Sequence, residues 1–425
     1  MIPILRGDGD LSRVFGRSQL DMESARETVK AILQDVRQNG DKALFAYTKK
    51  FDKLHVDAVS VAVTEREIEN AYAAVDSATL AALRRAKDNI EAFHKRQKRQ
   101  DSIVTENGKT TGILYRPVER AGLYVPGGKA SYPSSVLMCA LPAAVAGVPE
   151  IVMATPAGNG LNPLTLVAAA ECGVRKIFKI GGAQAIAAMA YGTQSVPKVS
   201  VISGPGNIYV ALAKREIFGA AGIDMIAGPS EIAVIADDSA DPVFVAADML
   251  SQAEHDELAM SLLITDSKTL AEKVQAELAR QLQALPKADI ATRSLQNYGA
   301  VVLVENAAQA ASIANKVAPE HLELCVKDPA AYLPLIVNAG AVFLGHWSPE
   351  PLGDYYAGTN HVLPTSGTAR FCSALGVDNY VKKISLIQYG EQALMAAADD
   401  IIALAEAEGL HGHANSVRVR KGGAQ

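Results

Sequence analysis

Short apolar segments alternate with helical patterns from about residue 120 onward, and this alternation constrains the fold more than any other feature of the chain. Such alternation is typical of parallel β-sheets with helices on both faces. The segments form two consecutive series that meet near residues 204–231, where Gly-Pro turns occur. We therefore predict an α/β fold with two domains and mostly parallel sheets. The predicted strands are Gly122–Val125, Glu150–Thr155, Lys176–Ile180, Lys198–Ile202, Ile232–Ala236, Ser261–Thr265, Ala300–Val304, Leu322–Val326 and Ala341–Leu344.

The residues before this alternation have a different pattern. Residues 22–39 predict an amphipathic helix that ends at Gly40, and Val56–Val63 alternates like a strand. A capping box at Thr64–Glu67 predicts the start of a helical stretch that continues to about Arg99.

Composition limits the class of protein. The chain has 425 residues, of which 49% are hydrophobic and 20% charged, as expected for a globular enzyme of two or more domains. A net charge of −5 gives no reason to expect nucleic acid or an anionic membrane as a partner. The four cysteines form no Cys-x-x-Cys pair, and the N-terminus lacks a signal-peptide pattern. We therefore expect a cytoplasmic protein in a reducing compartment.

Three glycine-containing turns follow predicted strands of the first series: Tyr124-Val-Pro-Gly-Gly128, Gly181-Gly-Ala-Gln184 and Gly204-Pro-Gly-Asn-Ile-Tyr209. Ligands bind at the carboxyl ends of strands in open α/β sheets, and amides at helix N-termini suit a phosphate. The last turn lacks the third glycine of the dinucleotide fingerprint. The residues alone leave a nucleotide cleft and purely structural turns about equally supported.

Glu320 and His321 are adjacent where a turn passes into an apolar strand, and both can transfer protons near neutral pH. Further segments offer more oxygen and nitrogen ligands than a proton relay needs, which indicates a bound metal ion. These segments are Ser251-Gln-Ala-Glu-His255, Gly353-Asp-Tyr-Tyr-Ala-Gly-Thr-Asn-His361, Glu408-Gly-Leu-His-Gly-His413 and Ala227-Gly-Pro-Ser-Glu231.

Gln252 and His255 are three residues apart in a helical pattern, so they share one face. Asp354 and His413 could complete a donor set that suits Zn²⁺, with Mn²⁺ or Co²⁺ as substitutes. Spacing alone leaves open that these side chains are only hydrogen-bonded.

The remaining histidines receive different interpretations. His55, His94 and His346 are predicted to be ordinary surface or core residues. His361 lies in a predicted turn and could reach a ligand, whereas His411 is assigned no role.

Taken in order, these segments strongly resemble the histidinol dehydrogenase family over essentially the whole chain. Each fragment alone is modest evidence, but the ordered set is specific. The matching stretches are Gly122–Gly128, Gly181–Gln184, Gly204–Asn207, Gly228–Glu231, Ser251–His255, Pro319–His321, Gly353–Asp354, Gly358–Pro364 and Glu408–His413.

The resemblance implies oxidation of L-histidinol to L-histidine, with two NAD⁺ reduced per turnover and one Zn²⁺ per site. It implies an aldehyde-dehydrogenase-like fold with two incomplete Rossmann-like domains, a small N-terminal segment and a helical C-terminal tail. It also implies a homodimer in which the tail docks on the partner subunit, so that the active sites are shared.

The resemblance further implies roles for individual residues. Glu320 and His321 match the catalytic pair of the family. The implied zinc ligands are Gln252, His255, Asp354 and His413, and the implied NAD contacts are Tyr124, Gln184 and Asn207. The implied substrate contacts are Ser230, Gln252, His255, His321, Asp354, His361, Glu408 and His413.

The implied chemistry agrees with the residue types. His321 fits the base that takes the hydroxyl proton, and Glu320 fits the group that activates water to hydrate the aldehyde. Aldehyde dehydrogenases use a cysteine nucleophile, but no cysteine lies in these motifs. Zinc would orient the substrate by its imidazole and amino nitrogens.

We predict four parts of the chain. Residues 1–19 form an N-terminal segment, and residues 20–123 with 232–375 form a discontinuous catalytic α/β domain. Residues 124–231 form the NAD-binding domain, and residues 376–425 form the helical tail, which is too small to fold alone.

Three alternatives remain. The first is a related dehydrogenase of another small polyol, such as a sulfonated propanediol, although Glu408 and His361 suit the cationic and imidazole groups of an amino alcohol. The second is a zinc hydrolase in which Glu320 activates a metal-bound water. The third is a non-catalytic nucleotide-binding protein, which the Glu320–His321 pair disfavours.

Overall fold

The structure, a computed structural model, describes residues 2–16, 22–127 and 132–422. Gly128, the last residue of the first glycine turn, lies outside this range. The strands are β1 (Ile4–Arg6), β2 (Ser102–Glu106), β3 (Lys109–Pro117), β4 (Arg120–Tyr124), β5 (Glu150–Ala154), β6 (Lys176–Phe178), β7 (Val201–Ser203), β8 (Gly222–Ile223), β9 (Glu231–Ala236), β10 (Met260–Thr265), β11 (Ala300–Leu303), β12 (His321–Cys325), β13 (Ala341–Leu344) and β14 (Val381–Tyr389).

Helices separate most of these strands, as the alternation predicts. They are α1 (Ser12–Phe15), α2 (Met22–Asn39), α3 (Asp41–Tyr47), α4 (Glu65–Ala74), α5 (Ser77–Lys95), α6 (Pro133–Ala146), α7 (Pro163–Glu171), α8 (Gly182–Tyr191), α9 (Ile208–Ile217), α10 (Pro242–Ala253), α11 (Lys268–Leu282), α12 (Ala288–Tyr298), α13 (Ala307–Val317), α14 (Glu350–Tyr355), α15 (Glu391–Ala407) and α16 (His411–Arg418). Among the described helices, none is long and apolar enough to cross a membrane.

Two parallel sheets carry the fold. One has six strands in the order β1-β11-β10-β9-β12-β13, and the other has five in the order β6-β5-β4-β7-β8. All the pairings within these two sheets are parallel. The predicted α/β class with mostly parallel sheets is therefore confirmed.

The chain forms two compact units. The first comprises residues 1–97 and 118–380 and contains both parallel sheets. The second comprises residues 98–117 and 381–425. It contains an antiparallel sheet of order β14-β3-β2 together with α15 and α16.

The sheet pairing differs from the predicted division of the chain. Strand β4 was assigned to the catalytic part, but it pairs with β5 and β7 in the five-stranded sheet. Helix α2 buries Val29, Ile32 and Val36 in the core cluster that also contains Ile186 of α8 and Leu212 of α9. The 3.6-residue period identifies which face of α2 is buried, but not which sheet it covers. The division into four parts stays a prediction.

Two local predictions about the N-terminal region have different outcomes. The capping box is present, because the Thr64 hydroxyl accepts the Glu67 N–H while the Glu67 carboxylate accepts the Thr64 N–H. The strand predicted over Val56–Val63 is wrong, since only Ala62 makes an isolated bridge there. The Asp57 carboxylate instead accepts two nearby backbone N–H groups and forms a turn.

The second unit contains strands that the sequence analysis did not predict. β2 and β3 form a hairpin whose connection, Asn107-Gly108, has positive φ at both residues. An Asn-Gly pair between two β-rich segments is a strong hairpin signal and could have identified it. The predicted helical tail is helical from Glu391, but β14 precedes that helix and pairs with β3 along its whole length.

Candidate active site

A cavity of about 920 Å³ lies at the carboxyl ends of the strands of the five-stranded sheet. Tyr124, Gln184 and Asn207, the three residues expected to contact NAD, all line it. Tyr124 ends β4, whereas the other two lie at the starts of α8 and α9. The structure therefore brings together three side chains from three separate glycine-containing turns.

Local contacts orient these three side chains. The Tyr124 hydroxyl accepts the Gly182 N–H at 3.1 Å. Asn207 is the N-cap of α9, and its Oδ1 accepts two backbone N–H groups, which leaves its Nδ2 to donate elsewhere. Gln184 is buried, and its Nε2 has no hydrogen-bond partner within the described part of the chain. An orphaned buried donor facing a cavity indicates a ligand acceptor.

A glycine is required where β7 ends. Gly204 has φ +118°, and a Cβ at this position would lie 2.1 Å from the Tyr124 carbonyl oxygen. The turn therefore packs directly against the end of β4.

Asp52 lines the same cavity, although the sequence analysis did not identify it. Burial raises the pKa of its carboxyl, and the Gly181 N–H partly offsets this effect. Its Oδ2 is buried without a hydrogen-bond partner among the described residues. A lone Asp at the end of a short helical turn, Thr48–Asp52, carries no sequence signal for this role, because only the folded chain brings it to the cavity.

His321 begins β12, which lies between β9 and the edge strand β13 of the six-stranded sheet, and Glu320 directly precedes it. Helix α13 ends at Val317, and the next residue, Ala318, has a φ of 47° that turns the chain toward the strand. The first residue of β9, Glu231, is adjacent to both. Its N–H donates to Glu320 Oε2 at 3.0 Å, and its carbonyl oxygen lies 3.2 Å from His321 Nδ1. Two neighbouring strands therefore hold the predicted catalytic pair.

Three carboxyl groups surround the buried His321 ring. Nδ1 lies 3.8 Å from Glu320 Oε2 and 3.7 Å from Glu350 Oε1, and Nε2 lies 3.6 Å from Asp354 Oδ1. Nε2 is buried and has no hydrogen-bond partner among residues 2–16, 22–127 and 132–422. Because Nδ1 faces a carbonyl oxygen, Nε2 is the nitrogen left for a ligand.

These charges perturb one another. Burial lowers the pKa of His321, but Glu320, Glu350 and Asp354 outweigh it and raise the pKa to about 10. Burial raises the pKa of Glu320 to about 7 against the opposing effect of His321. Burial likewise raises the pKa of Glu350 to about 7. Such displaced values in one buried cluster are typical of functional sites.

Gln252 lies in the last turn of α10, next to this cluster, and His255 lies in the turn that follows the helix, which ends at Ala253. Gln252 is buried, and its side-chain amide contacts the Glu350 carboxylate. His255 is exposed, and its Nδ1 lies 2.8 Å from the Ser251 carbonyl oxygen. That hydrogen bond leaves Nε2 as the free acceptor, which is the usual arrangement of a metal-ligating histidine.

Glu350 is the main site residue that the sequence analysis missed. It begins α14, four residues before Asp354, and is 1% exposed. The segment Pro349-Glu-Pro-Leu-Gly-Asp354 was considered only from Gly353 onward. Spacing of i and i+4 on a short helix could have indicated that both carboxylates face one side.

The other predicted substrate contacts lie in two places. His361 Nδ1 donates to the Asp354 carbonyl at 2.9 Å, and its Nε2 lies 3.2 Å from the hydroxyl of Ser135 in α6. Ser230 directly precedes β9 and is partly buried. Glu408 and His413 belong to the second unit, where both are exposed.

The donor set of the first unit fits a divalent cation. Ligand atoms of His321, Glu350 and Asp354 all lie within 4.8 Å of one another. The pKa of Asp354 is lowered, since nearby histidines, including His321 and His255, outweigh its burial. An ionised carboxylate such as Asp354 and an acceptor nitrogen such as His255 Nε2 are ligand types that suit Zn²⁺.

Three further histidines have ordinary environments. His94 is buried and contacts the side chains of Gln97 and Asn360. His346 contacts Ser239, and His55 is exposed.

Comparison with known proteins identifies the family. The sequence model described as histidinol dehydrogenase matches residues 15–421. A histidinol dehydrogenase of Caldanaerobacter subterraneus subsp. tengcongensis is 53% identical over 413 residues, which cover 97% of this chain and 96% of the relative.

Solved structures agree. Histidinol dehydrogenase from Elizabethkingia anophelis superposes with a TM-score of 0.94 at 38% identity and covers 99% of this chain and 98% of its own. A structure from Sinorhizobium meliloti 1021 described as a methylmalonate-semialdehyde dehydrogenase has a TM-score of 0.50 at 12% identity, covering 87% and 86%. It shares the fold alone, as the predicted aldehyde-dehydrogenase-like architecture requires. The chain therefore belongs to the histidinol dehydrogenase family of oxidoreductases.

Proposed function

We propose that this protein oxidises L-histidinol to L-histidine through L-histidinal, in histidine biosynthesis, with NAD as oxidant and one zinc ion per site. The observation that carries the proposal is the buried Glu320–His321 pair, held by the backbone of Glu231 and surrounded by metal-ligand side chains. Membership of the family supports the choice of substrate.

His321 is the proposed base for the substrate hydroxyl. Its Nδ1 faces the Glu231 carbonyl oxygen, so the partnerless Nε2 is the atom that takes the proton. The surrounding carboxylates favour the protonated ring, because they raise the pKa of His321 to about 10. His321 can therefore act as a base only if added positive charge at the site lowers its pKa and favours the neutral ring.

Glu320 is the proposed base for water in the second oxidation. Glu231 occupies Oε2, which leaves Oε1 to accept the water proton. A pKa of about 7 makes the carboxylate and the acid comparably populated near neutral pH, so Glu320 can take up a proton and release it again.

Zinc would be held by Gln252, His255 and Asp354 of one chain, with His413 of the other chain of the proposed dimer as the fourth ligand. When bound, it supplies positive charge that orients the substrate nitrogens and opposes protonation of His321. His361, Ser230 and Glu408 are the further proposed substrate contacts. Burial lowers the pKa of His361, which therefore favours its neutral form.

NAD is proposed to occupy the 920 Å³ cavity with Tyr124, Gln184 and Asn207. When bound, it accepts the hydride of each oxidation. The orphaned donor of Gln184 would bond an acceptor of the cofactor, and the amides that begin α8 and α9 suit its phosphates.

We also propose a homodimer in the cytoplasm, with residues 376–425 docked on the partner and no nucleic acid or membrane as partner. The second unit exposes large apolar side chains, with Ile387 at 74% and Leu404 at 69%. A small unit with such side chains exposed is better stabilised by a partner surface.

The test is NADH formation from L-histidinol, measured by absorbance before and after removal of metal by a chelator. We expect two NADH per L-histidine formed, loss of activity on chelation, and recovery with Zn²⁺. Reduction of NAD by a sulfonated propanediol but not by L-histidinol would favour the related dehydrogenase instead. No NADH from either substrate, with an intact fold, would refute both.

A further inference from the structure

Glu350 is buried in the centre of the site, yet the proposed function assigns it no role. Three contacts fix it. Its N–H donates to Glu323 Oε1 at 2.7 Å, and the Ser251 hydroxyl donates to its Oε2 at 3.1 Å. The third contact is the side-chain amide of Gln252. A buried carboxylate held at both its backbone and its side chain is well placed to orient a neighbour.

The contact with Gln252 determines which way that amide points. The amide atom that faces Glu350 lies 2.9 Å from Oε2, 2.5 Å from Oε1 and 3.3 Å from His321 Nδ1. An amide oxygen there would face both carboxylate oxygens at the two shortest distances, whereas the nitrogen donates to both of them. The Gln252 nitrogen therefore faces Glu350, and its oxygen points away from that carboxylate.

This orientation matters because only the oxygen of an amide can ligate a metal ion, and the two ends of the amide exchange by a half-turn of the side chain. In the absence of a fixed acceptor, both orientations become populated. Residues that hydrogen-bond a metal ligand without contacting the metal themselves typically contribute about 10–100-fold to metal affinity.

We propose that Glu350 is a positioning residue that locks the Gln252 amide with its oxygen toward the metal site. The inference rests on the proposed zinc binding and deepens it. Glu350 acts through Gln252 and is neither the donor nor the acceptor in the proton transfers assigned to Glu320 and His321.

The experiment measures zinc affinity in the absence of substrate and NAD, by competition with a chromophoric chelator. Glu350→Gln keeps the shape of the side chain but replaces one acceptor by a donor, so the Gln252 amide no longer has a fixed orientation. We expect zinc to bind about 10–100-fold more weakly, with little change in the thermal unfolding midpoint.

Two further variants separate positioning from a general structural effect. Ser251→Ala removes the other side-chain donor to Glu350 and leaves the Gln252 contact intact, so zinc affinity should stay within about threefold of wild type. In the double variant Gln252→Glu/Glu350→Gln the donor and acceptor exchange places. Zinc affinity should recover relative to Glu350→Gln, as a double-mutant cycle would reveal.

The outcomes are distinguishable. If wild type binds zinc and Glu350→Gln binds it with the same affinity, this inference alone is overturned. An equal loss in Ser251→Ala also overturns it, since the effect would not pass through Gln252. Wild type that binds no zinc overturns the zinc proposal and this inference together. If Glu350→Gln does not fold, Glu350→Asp withdraws the carboxylate by one methylene, and an affinity equal to that of wild type would overturn the inference.

Discussion

Replacing Glu320 by glutamine tests the division of labour between the two proposed bases. The variant Glu320→Gln keeps an oxygen that can accept the Glu231 N–H, which donates to Oε2 at 3.0 Å in the native site. The fold should therefore be preserved. What disappears is the carboxylate that takes a proton from water, so oxidation of the aldehyde should slow far more than oxidation of the alcohol.

General-base assistance typically contributes about 10²–10⁴-fold, or about 3–5 kcal/mol of barrier. Burial raises the pKa of Glu320 to about 7, so the base form appears only as the pH rises through that value. About one tenth of the sites are ionised one pH unit below this pKa, and about nine tenths one unit above it. Oxidation of L-histidinal by wild type should therefore rise between pH 6 and 8, and the variant should lose this rise.

The assay follows NADH absorbance with L-histidinol and with L-histidinal as separate substrates. Glu272→Gln, on the exposed face of α11, is a matched control that should leave both rates unchanged. Equal slowing of the two half-reactions in Glu320→Gln would contradict a role confined to water. A retained pH dependence would show that another group is the base.

Three further predictions concern the metal, the dimer and the fold. His255→Ala should lose bound zinc and activity while remaining folded, and full zinc by elemental analysis would remove His255 from the ligand set. Co-expression of His321→Ala with His413→Ala chains should restore roughly half of wild-type activity in the mixed dimer. If the sites are shared, two-fold symmetry places both substitutions in one site and leaves the other site without either. Mixed dimers as inactive as either parent would exclude shared sites. Burial lowers the pKa of His94, so its neutral form stabilises the fold fully above the ordinary value of 6.5 and protonation destabilises the fold below it. Chemical denaturation should show that the free energy of unfolding of wild type is lower at pH 5.5 than at pH 7.5. The same decrease should be smaller in His94→Leu, and equal decreases would exclude His94 as the cause.

Local patterns predicted the elements well, because they depend on neighbours in the chain. The period of the apolar residues identified α2 and the strands of both series, and the Thr64–Glu67 capping box marked the start of α4. The strand predicted at Val56–Val63 failed for a local reason as well, since the Asp57 carboxylate bonds the backbone and forms a turn.

Partners distant in sequence could not be predicted in this way. The pattern of Arg120–Tyr124 marks a strand, but its pairing with β5 and β7 depends on which surfaces exclude water together. Likewise, residues 381–389 form a strand because they pair with β3, although residues 376–425 were predicted to be a helical tail.

The sequence by itself determined that Glu320 and His321 are adjacent, and that Gln252 and His255 are three residues apart. Both facts follow from covalent spacing. Only the tertiary structure decided that Glu231 holds the pair through its backbone and that Glu350 contacts Gln252. Those contacts join β9, β12, α10 and α14, which are far apart in the chain, and hydrogen bonds between such elements exist only after their apolar faces have packed into one core.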